Sequence, residues 1–250
     1  MKKYELAKDL NEKIVSGLMK GYQEYIDVRK EKYKTMRISG AYAWVKGNHI
    51  DDKVAEACAD ENVDFKLAKA GASWQYLQFR QEKDEVLFII RNARYFNENE
   101  VSKGKDIHGN TINRNKAYLE DLMKINSDVD FGHIENQATS RIETIQLELS
   151  DLFVDEEESR AIKQLENEFE RFYMITYTID EAHNISKISL YMPNPINNKA
   201  YFIEDLTVYI KSDQITQVDE ETRDILAASA PSDDFGYGIE IVVEDIEEKS

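Results

Sequence analysis

The sequence predicts an α+β fold in which a long N-terminal helix or helical hairpin precedes a mixed, mainly antiparallel sheet domain with helices. Near the N-terminus, apolar residues recur every four positions, which is close to the helical period. Two later regions, residues 64–96 and 169–210, contain short β-branched and aromatic runs separated by polar turns. The chain has 250 residues and is 42% hydrophobic, so it can bury a core for one large domain or two small ones.

The N-terminal helical pattern extends to about Tyr33 or Met36, which is long for a globular helix. Such a helix either projects from the protein or pairs with a second helix. Gly17 and Gly21 lie inside the pattern, and each costs roughly 1 kcal/mol relative to alanine, so we expect a kink or a close helix contact there. The apolar stripe consists of Leu6, Leu10, Ile14, Leu18, Tyr22 and Ile26.

A second helical segment follows and breaks at Gly47, after which Asn48 can cap its second piece. Its buried face is expected to contain Val54, Ala55 and Cys58. The basic N-terminal region therefore contains two helical segments.

The remaining pattern alternates between strands and helices. Three antiparallel strands in a meander are predicted by DFKLAKA, WQYLQFRQ and VLFIIRN, and further strands by IETIQLELSDLF, FYMITYTID, ISKISLYM and IEIVVEDI. Helices are predicted by KAYLEDLMKIN, EEESRAIKQLENEFERF and EETRDILAAS. The run AYFIEDLTVYI is ambiguous between strand and helix, MPNPINN is predicted to bend, and the polar residues 97–115 are predicted to form a flexible excursion.

These patterns suggest three parts of the chain. Residues 1–61 form a basic helical region, residues 62–244 an α+β domain and residues 245–250 an acidic tail. Whether the domain contains one sheet or two, over 62–130 and 140–244, stays open.

Composition excludes several classes of protein. The net charge of −17 argues against a protein that binds nucleic acid over its whole surface or docks on anionic lipid. No run of about 18 apolar residues is present, and the first residues lack the apolar segment of a secretion signal. The single cysteine, Cys58, excludes an internal disulfide framework and a thiolate-based zinc site. We therefore expect a cytoplasmic protein without a membrane association.

The charge is unevenly distributed along the chain. Residues 1–50 contain 11 basic and 6 acidic residues, whereas residues 201–250 contain 3 basic and 14 acidic residues. The two ends can attract each other within one chain or between chains, or both can be solvated faces.

The basic N-terminal helix is a candidate nucleic-acid surface, because its cations can neutralise phosphates while interleaved tyrosines stack on bases. The alternative is a helix that binds a partner, packs its tyrosines and exposes its lysines to water. The candidate contacts are Lys20, Arg29, Lys30, Lys34 and Arg37.

Asp64 and Lys66 have the acid-x-Lys spacing that metal-dependent nucleases place on a strand, where the acid binds Mg²⁺ and the lysine positions water. Asp52 can supply a second carboxylate. The competing interpretation is coincidence, because so short a pattern arises by chance in an acidic chain. Outside this alternative we expect no cofactor and no metal site.

The acidic C-terminal end is a candidate partner-binding surface. Carboxylates spaced over a rigid surface can imitate the phosphates of DNA and occupy a basic groove. Ordinary solubility charge is the alternative. The candidate residues are Asp219, Glu220, Glu221, Asp233, Asp234, Glu244 and Asp245.

The segment SWQYLQFRQEKDEVLFIIRNARYFN, followed after a polar loop by NRNKAYLEDLMKIN, resembles an uncharacterised family of small hypothetical proteins from bacteria and their phages. In that family a hairpin that ends in an Arg-rich strand precedes a helix with a Tyr-Leu pair. The resemblance covers about a quarter of the chain and implies no activity.

Together these observations favour a protein that binds another macromolecule and does not catalyse a reaction. The specific hypothesis is a bacterial or phage regulator or counter-defence inhibitor whose acidic C-terminal surface engages a basic protein partner. Homo-oligomerisation stays open. The alternatives are a Mg²⁺-dependent nuclease that uses Asp52, Asp64 and Lys66, and a nucleic-acid-binding protein that uses the basic helix.

Overall fold

The structure is a computed structural model that describes residues 4–70, 74–106, 108–113, 116–135, 165, 168–215 and 218–228. It confirms the predicted α+β fold. Over these ranges the α-helices are α1 (Lys8–Thr35), α2 (Lys46–Cys58), α3 (Ala117–Met123), α4 (Gly132–Glu135) and α5 (Glu220–Ala228). The strands are β1 (Val63–Ala70), β2 (Trp74–Gln81), β3 (Val86–Asn92), β4 (Arg171–Ile179), β5 (Ile185–Asn194) and β6 (Lys199–Asp205).

The six strands form one sheet in the order β1-β2-β3-β4-β5-β6. The two predicted strand-rich regions therefore join into a single sheet. All neighbouring strands are antiparallel except β3 and β4, which are parallel. The long connection between these two strands crosses from one end of the sheet to the other, as a parallel pair requires.

Each face of the sheet has its own buried cluster. Helices α1 and α2 pack on one face, where Ile14, Ile50 and Phe88 belong to a common core. The other face is covered by part of the β3–β4 connection, including Leu122 and Phe169. The central strands are therefore buried on both sides, as the continuous apolar run of β3 indicates.

The two glycines of α1 lie where α2 crosses it. A Cβ added to Gly17 would lie 2.6 Å from Val54 Cα, and one added to Gly21 would lie 2.5 Å from the carbonyl oxygen of His49. Such distances are too short for any side chain, so only glycine permits this approach. The sequence left open a kink or a close helix contact at these glycines, and the structure shows the close contact.

Three local predictions are corrected. Helix α2 begins at Lys46 with Val45 as its N-cap, so Asn48 lies inside the helix and does not cap it. Pro193, predicted to lie in a bend, is part of β5 and pairs with Ala200 of β6. The ambiguous run after Asn198 forms β6 and then a short 3₁₀ helix over Leu206–Tyr209.

The polar excursion is held by specific hydrogen bonds. The Val101 amide donates to the Asn198 carbonyl at 2.9 Å, and the Asn198 side chain bonds to both the amide and the hydroxyl of Ser102. The Asn97 side chain donates to Thr111 at 3.0 Å. This segment has no apolar pattern that would predict its packing, and hydrogen bonds from asparagine side chains hold it in place instead.

Several predictions lie outside the described residues. They are the strands over 142–153 and 239–246, most of the helix over 156–172, and the tail over 245–250. The last two residues of that predicted helix, Arg171 and Phe172, belong to β4. Among the helices that the structure describes, none is long and apolar enough to cross a membrane.

Candidate functional site

The basic and acidic ends of the chain meet along α1 and α5. Lys30 Nζ lies 3.9 Å from the Asp219 carboxylate, and Lys34 Nζ lies 3.3 Å from that of Glu221. The attraction predicted from the charge distribution therefore operates within one chain. Four of the candidate binding residues are engaged with each other, while Glu220 is exposed in the first turn of α5.

Arg29 is buried inside the protein, although the sequence predicted it as an exposed contact for nucleic acid. It is fully buried, and its guanidinium donates to the Ser39 carbonyl at 2.9 Å and the Ile225 carbonyl at 3.1 Å. Arg29 thus links α1 to α5 and is not accessible to a nucleic acid in the folded protein. Lys20 and Arg37 are exposed. The remaining acidic candidates, Asp233, Asp234, Glu244 and Asp245, lie outside the described residues.

The residues of the nuclease alternative lie on two separate elements, β1 and α2. Asp64 is held by Arg80, whose Nη2 lies 2.8 Å from Oδ2, and this hydrogen bond lowers the pKa of Asp64. Lys66 lies two positions along the exposed strand β1, while Asp52 lies on α2 and pairs with Lys53 at 3.6 Å. Over the described part of the chain, no group of three His, Cys, Asp or Glu residues is arranged to hold a metal ion.

Among the described strands, β1 forms one edge of the sheet, and it exposes two large apolar side chains. All eight of its residues pair with β2, from Val63 opposite Gln81 to Ala70 opposite Trp74. Phe65 is 52% exposed and Leu67 is 57% exposed. Both side chains point to the same face because they are two residues apart on one strand. The strand is therefore regularly paired with β2, and its two large apolar side chains are accessible between charged neighbours.

An acidic surface adjoins the start of β1. A shallow open depression there is lined by Ala59, Asn62, Val63, Asp64, Glu82 and Lys83. The cations Arg80 and Lys13 are already paired there, Arg80 with Asp64 at 2.8 Å and Lys13 with Asp60 at 3.5 Å. The exposed carboxylates of this surface, which we call the β1 acidic rim, belong to Asp60, Asp64, Glu82, Asp84 and Glu85.

A second constellation lies where β2 separates from β3. These strands pair only from Phe79 to Gln81, so β2 diverges from β3 toward its N-terminal end. The Leu77 amide, in the separated part, donates to Asp51 of α2 at 3.1 Å. Burial of this carboxylate raises the pKa of Asp51 to about 7, while the Leu77 amide and the positive charge of Arg91 oppose the shift.

Buried polar side chains occupy the other face of the sheet beside this separation. Arg91, at the end of β3, is only 4% exposed and donates a short hydrogen bond to the Tyr118 hydroxyl of α3. Gln78 donates to the Tyr76 hydroxyl at 3.0 Å, and the rings of Tyr76 and Tyr118 lie 5.4 Å apart. Tyr118 thus contacts both the buried guanidinium and the Tyr76 ring.

Lys116, which precedes α3, adds a second buried cation. Its Nζ is shielded from solvent and has no hydrogen-bond partner among the described residues. Burial, together with the charge of Arg91, lowers the pKa of Lys116 to about 7. We call Asp51, Arg91, Lys116 and Tyr118 the split-strand cluster. The sequence did not reveal it because its members come from α2, from β3 and from the start of α3, and match no motif.

Comparison of the chain with protein-family models, with curated proteins and with solved structures finds no match. The resemblance to an uncharacterised bacterial and phage family therefore stays a prediction.

Proposed function

We propose that the protein binds another protein and that strand β1 accepts an extended, basic segment of this partner. The observation that carries the proposal is the position of β1 at an edge of the described strands, with Phe65 and Leu67 more than half exposed. An edge strand offers unpaired backbone donors and acceptors, and a partner strand can satisfy them by extending the sheet.

Apolar contacts on this edge would supply affinity beyond the backbone hydrogen bonds. Full burial of a leucine or phenylalanine side chain is worth about 1.5–3 kcal/mol relative to exposure. Phe65 and Leu67 lie on one face, so every second side chain of an added strand would contact them. The bound segment is therefore expected to alternate apolar with polar residues.

The negative charge near this edge favours a positively charged partner segment. The β1 acidic rim lies at one end of the edge, and the chain as a whole carries −17. This negative charge would increase the rate at which a basic segment associates, and it would disfavour binding of acidic segments. The site thus differs from the C-terminal surface expected from sequence, two of whose carboxylates are engaged by Lys30 and Lys34.

The proposal includes a cytoplasmic location and absence of catalysis. Cys58 is a buried free thiol, which suits a reducing compartment, and burial raises its pKa to about 12, which makes it a poor nucleophile. A regulator or counter-defence inhibitor that occupies a basic protein is one role that such binding would serve.

The test uses synthetic peptides. An eight-residue peptide of alternating valine and lysine should bind the wild-type protein in a calorimetric titration, whereas one of alternating valine and glutamate should not. A third peptide with the same lysines and a central proline keeps the charge but interrupts the ladder of hydrogen bonds. It should bind at least about tenfold more weakly, which corresponds to 1.4 kcal/mol.

Matched variants locate the binding. Leu67→Ser or Phe65→Ser should weaken binding of the valine–lysine peptide by about tenfold, from the loss of buried apolar area. Phe202→Ser is the control, because Phe202 is 50% exposed on β6 at the opposite edge. Equal affinity for the lysine and proline peptides, or an equal loss in the Phe202 variant, would exclude strand addition at β1.

A further inference from the structure

Strand β1 directs alternate backbone amides away from β2, toward an edge that no described strand occupies. Leu77 of β2 lies opposite Leu67 of β1, yet its amide donates to Asp51, so the two leucines form a pair without mutual hydrogen bonds. The Phe65 amide donates to the Asp64 carboxylate at 2.6 Å and is likewise turned away from β2. Because backbone direction alternates along a strand, the odd-numbered residues of β1 present their hydrogen-bonding groups at this edge.

The charges of β1 are divided between its two halves. Asp64 lies in the first half, Lys66 and Lys69 lie in the second, and all three residues are exposed. Among the described residues, neither lysine takes part in an ion pair, although the chain as a whole is strongly acidic. An antiparallel copy of the same strand would place the acidic half of one chain opposite the basic half of the other.

One antiparallel register of two β1 strands pairs these charges. The strands can exchange backbone hydrogen bonds only if their outward-facing, odd-numbered residues lie opposite each other. With Phe65 opposite its counterpart, two-fold symmetry places Asp64 opposite Lys66 twice. Moving the axis by one residue in either direction places Lys66 opposite Lys66 or Asp64 opposite Asp64, and both pairs are repulsive. The sequence of β1 therefore favours the register centred on Phe65.

A row of aromatic side chains agrees with this register. Phe88 of β3, Phe79 of β2 and Phe65 of β1 are consecutive partners across the sheet. The rings of Phe79 and Phe88 stack at 4.8 Å, whereas Phe65 ends the row and is 52% exposed. In the favoured register two such rows would meet at the Phe65 pair, and Leu67 would lie opposite Val63 of the other copy. Association would thus cover both exposed apolar side chains of β1.

We propose that the extended basic segment bound by β1 is β1 of a second copy, so that two chains join their sheets edge to edge. This inference rests on the proposed function and names its partner. The residues FKLAK at positions 65–69 have the required character, because they are extended and place apolar residues beside two lysines. Each copy would direct this basic half toward the β1 acidic rim of the other. Self-association would also exclude any other segment from the edge.

Asp64 controls access to this edge. Its Oδ1 accepts from the Phe65 amide, and its Oδ2 accepts from Arg80 at 2.8 Å. The Phe65 amide must leave Asp64 before it can bond to the second copy. Lys66 of that copy offers the carboxylate a charged partner in exchange, so that Arg80 and Lys66 would flank it. A strand without a cation at this position would leave the amide capped.

Charge exchange between residues 64 and 66 tests the pairing in sedimentation equilibrium of the full chain. At about 0.15 M sodium chloride, which screens long-range repulsion, wild-type protein should pass from one chain to two as its concentration rises. Asp64→Lys and Lys66→Asp should each weaken this dimer at least about tenfold, because each places like charges opposite each other twice. An equimolar mixture of the two variants should form a mixed dimer, because both opposing pairs are then attractive.

A matched control and a competitor complete the experiment. Lys187→Asp makes the same charge change at an exposed position of β5 and should leave the dimer unchanged. The valine–lysine peptide should dissociate the wild-type dimer. A chain that stays monomeric but binds this peptide would overturn the inference and retain the proposed function, whereas absence of both would overturn both. A dimer that neither variant weakens, or variants that form no mixed dimer, would exclude pairing through β1.

Discussion

Lys34 Nζ on α1 lies 3.3 Å from the Glu221 carboxylate on α5, which joins the basic start of the chain to its acidic end. Arg29, five residues earlier on α1, donates to the carbonyl of Ile225, which is also on α5. Part of the opposite charge at the two ends of the sequence is therefore paired within the molecule. Among the described residues, the β1 acidic rim beside the exposed Phe65 and Leu67 is the surface that we propose for a partner.

The two contacts between α1 and α5 are expected to differ greatly in energy. Arg29→Ala leaves two carbonyl oxygens without their donor and opens a cavity, so the free energy of unfolding should fall by about 2–4 kcal/mol. Lys34→Ala removes an exposed ion pair and should change it by less than about 1 kcal/mol. Urea unfolding of both variants measures the difference. Equal effects would show that Arg29 does not clamp α5.

The α1–α2 contact depends on glycine. Gly21→Ala should destabilise the protein by about 1–3 kcal/mol, because the added methyl group would overlap the backbone of His49 and Ile50. Helix propensity alone would instead stabilise the variant by up to about 1 kcal/mol. Lys20→Ala, at the exposed neighbouring position, is the control for propensity. A more stable Gly21 variant in thermal unfolding would contradict the close packing.

Asp51 should make stability fall as pH rises through the acidic range. The folded carboxyl keeps its proton to about pH 7, whereas the unfolded one loses it at about pH 4. The folded state therefore binds more protons between these values, and the free energy of unfolding falls with rising pH. In Asp51→Asn this contribution should disappear. Urea unfolding in phosphate-free buffers at pH 5 and 7 tests it, and identical slopes for variant and wild type would contradict the shift.

Lys116 should act in the opposite sense at higher pH. Its folded pKa of about 7 lies below the unfolded value of about 10.4, so the unfolded state binds more protons over this interval. Stability from this group therefore rises between pH 7 and about pH 10. Lys116→Met should remove the rise, as measured by urea unfolding at pH 7 and 9. A rise retained in the variant would assign it to other groups.

The nuclease alternative has a simple test. Because Arg80 holds Asp64, and Asp52 lies on a different element beside Lys53, we expect no Mg²⁺-dependent cleavage of DNA or RNA by the wild type. Cleavage that Asp64→Ala abolishes, while Asp205→Ala retains it, would contradict this expectation and favour catalysis over binding.

The sequence predicted those features that depend on local periodicity. The four-residue recurrence from Leu6 to Ile26 predicted α1, and the glycines within it pointed to the helix contact. The β-branched run of β3 predicted a buried strand. The alternation of apolar and polar residues along a strand is the same whether its neighbour is parallel or antiparallel. The parallel pairing of β3 with β4 therefore could not be predicted.

The split-strand cluster was not predictable for a related reason. Arg91 ends an apolar strand and Lys116 starts a helix, and each residue alone has the sequence context of an ordinary surface cation. Only the crossover between β3 and β4 brings them together. The composition of residues 97–115 predicts flexibility, because asparagine is common in loops. In the structure, however, hydrogen bonds from the side chains of Asn97 and Asn198 hold this segment in place.

Hydrogen exchange at β1 tests the central claim most directly. With the valine–lysine peptide in excess, amides of residues 63–70 that face away from β2 should exchange more slowly, because an added strand supplies their acceptors. Amides of β6 should be unchanged, and Leu67→Ser should lose the protection. Peptide binding without slower exchange in β1, or with equal slowing in β6, would contradict strand addition at this edge.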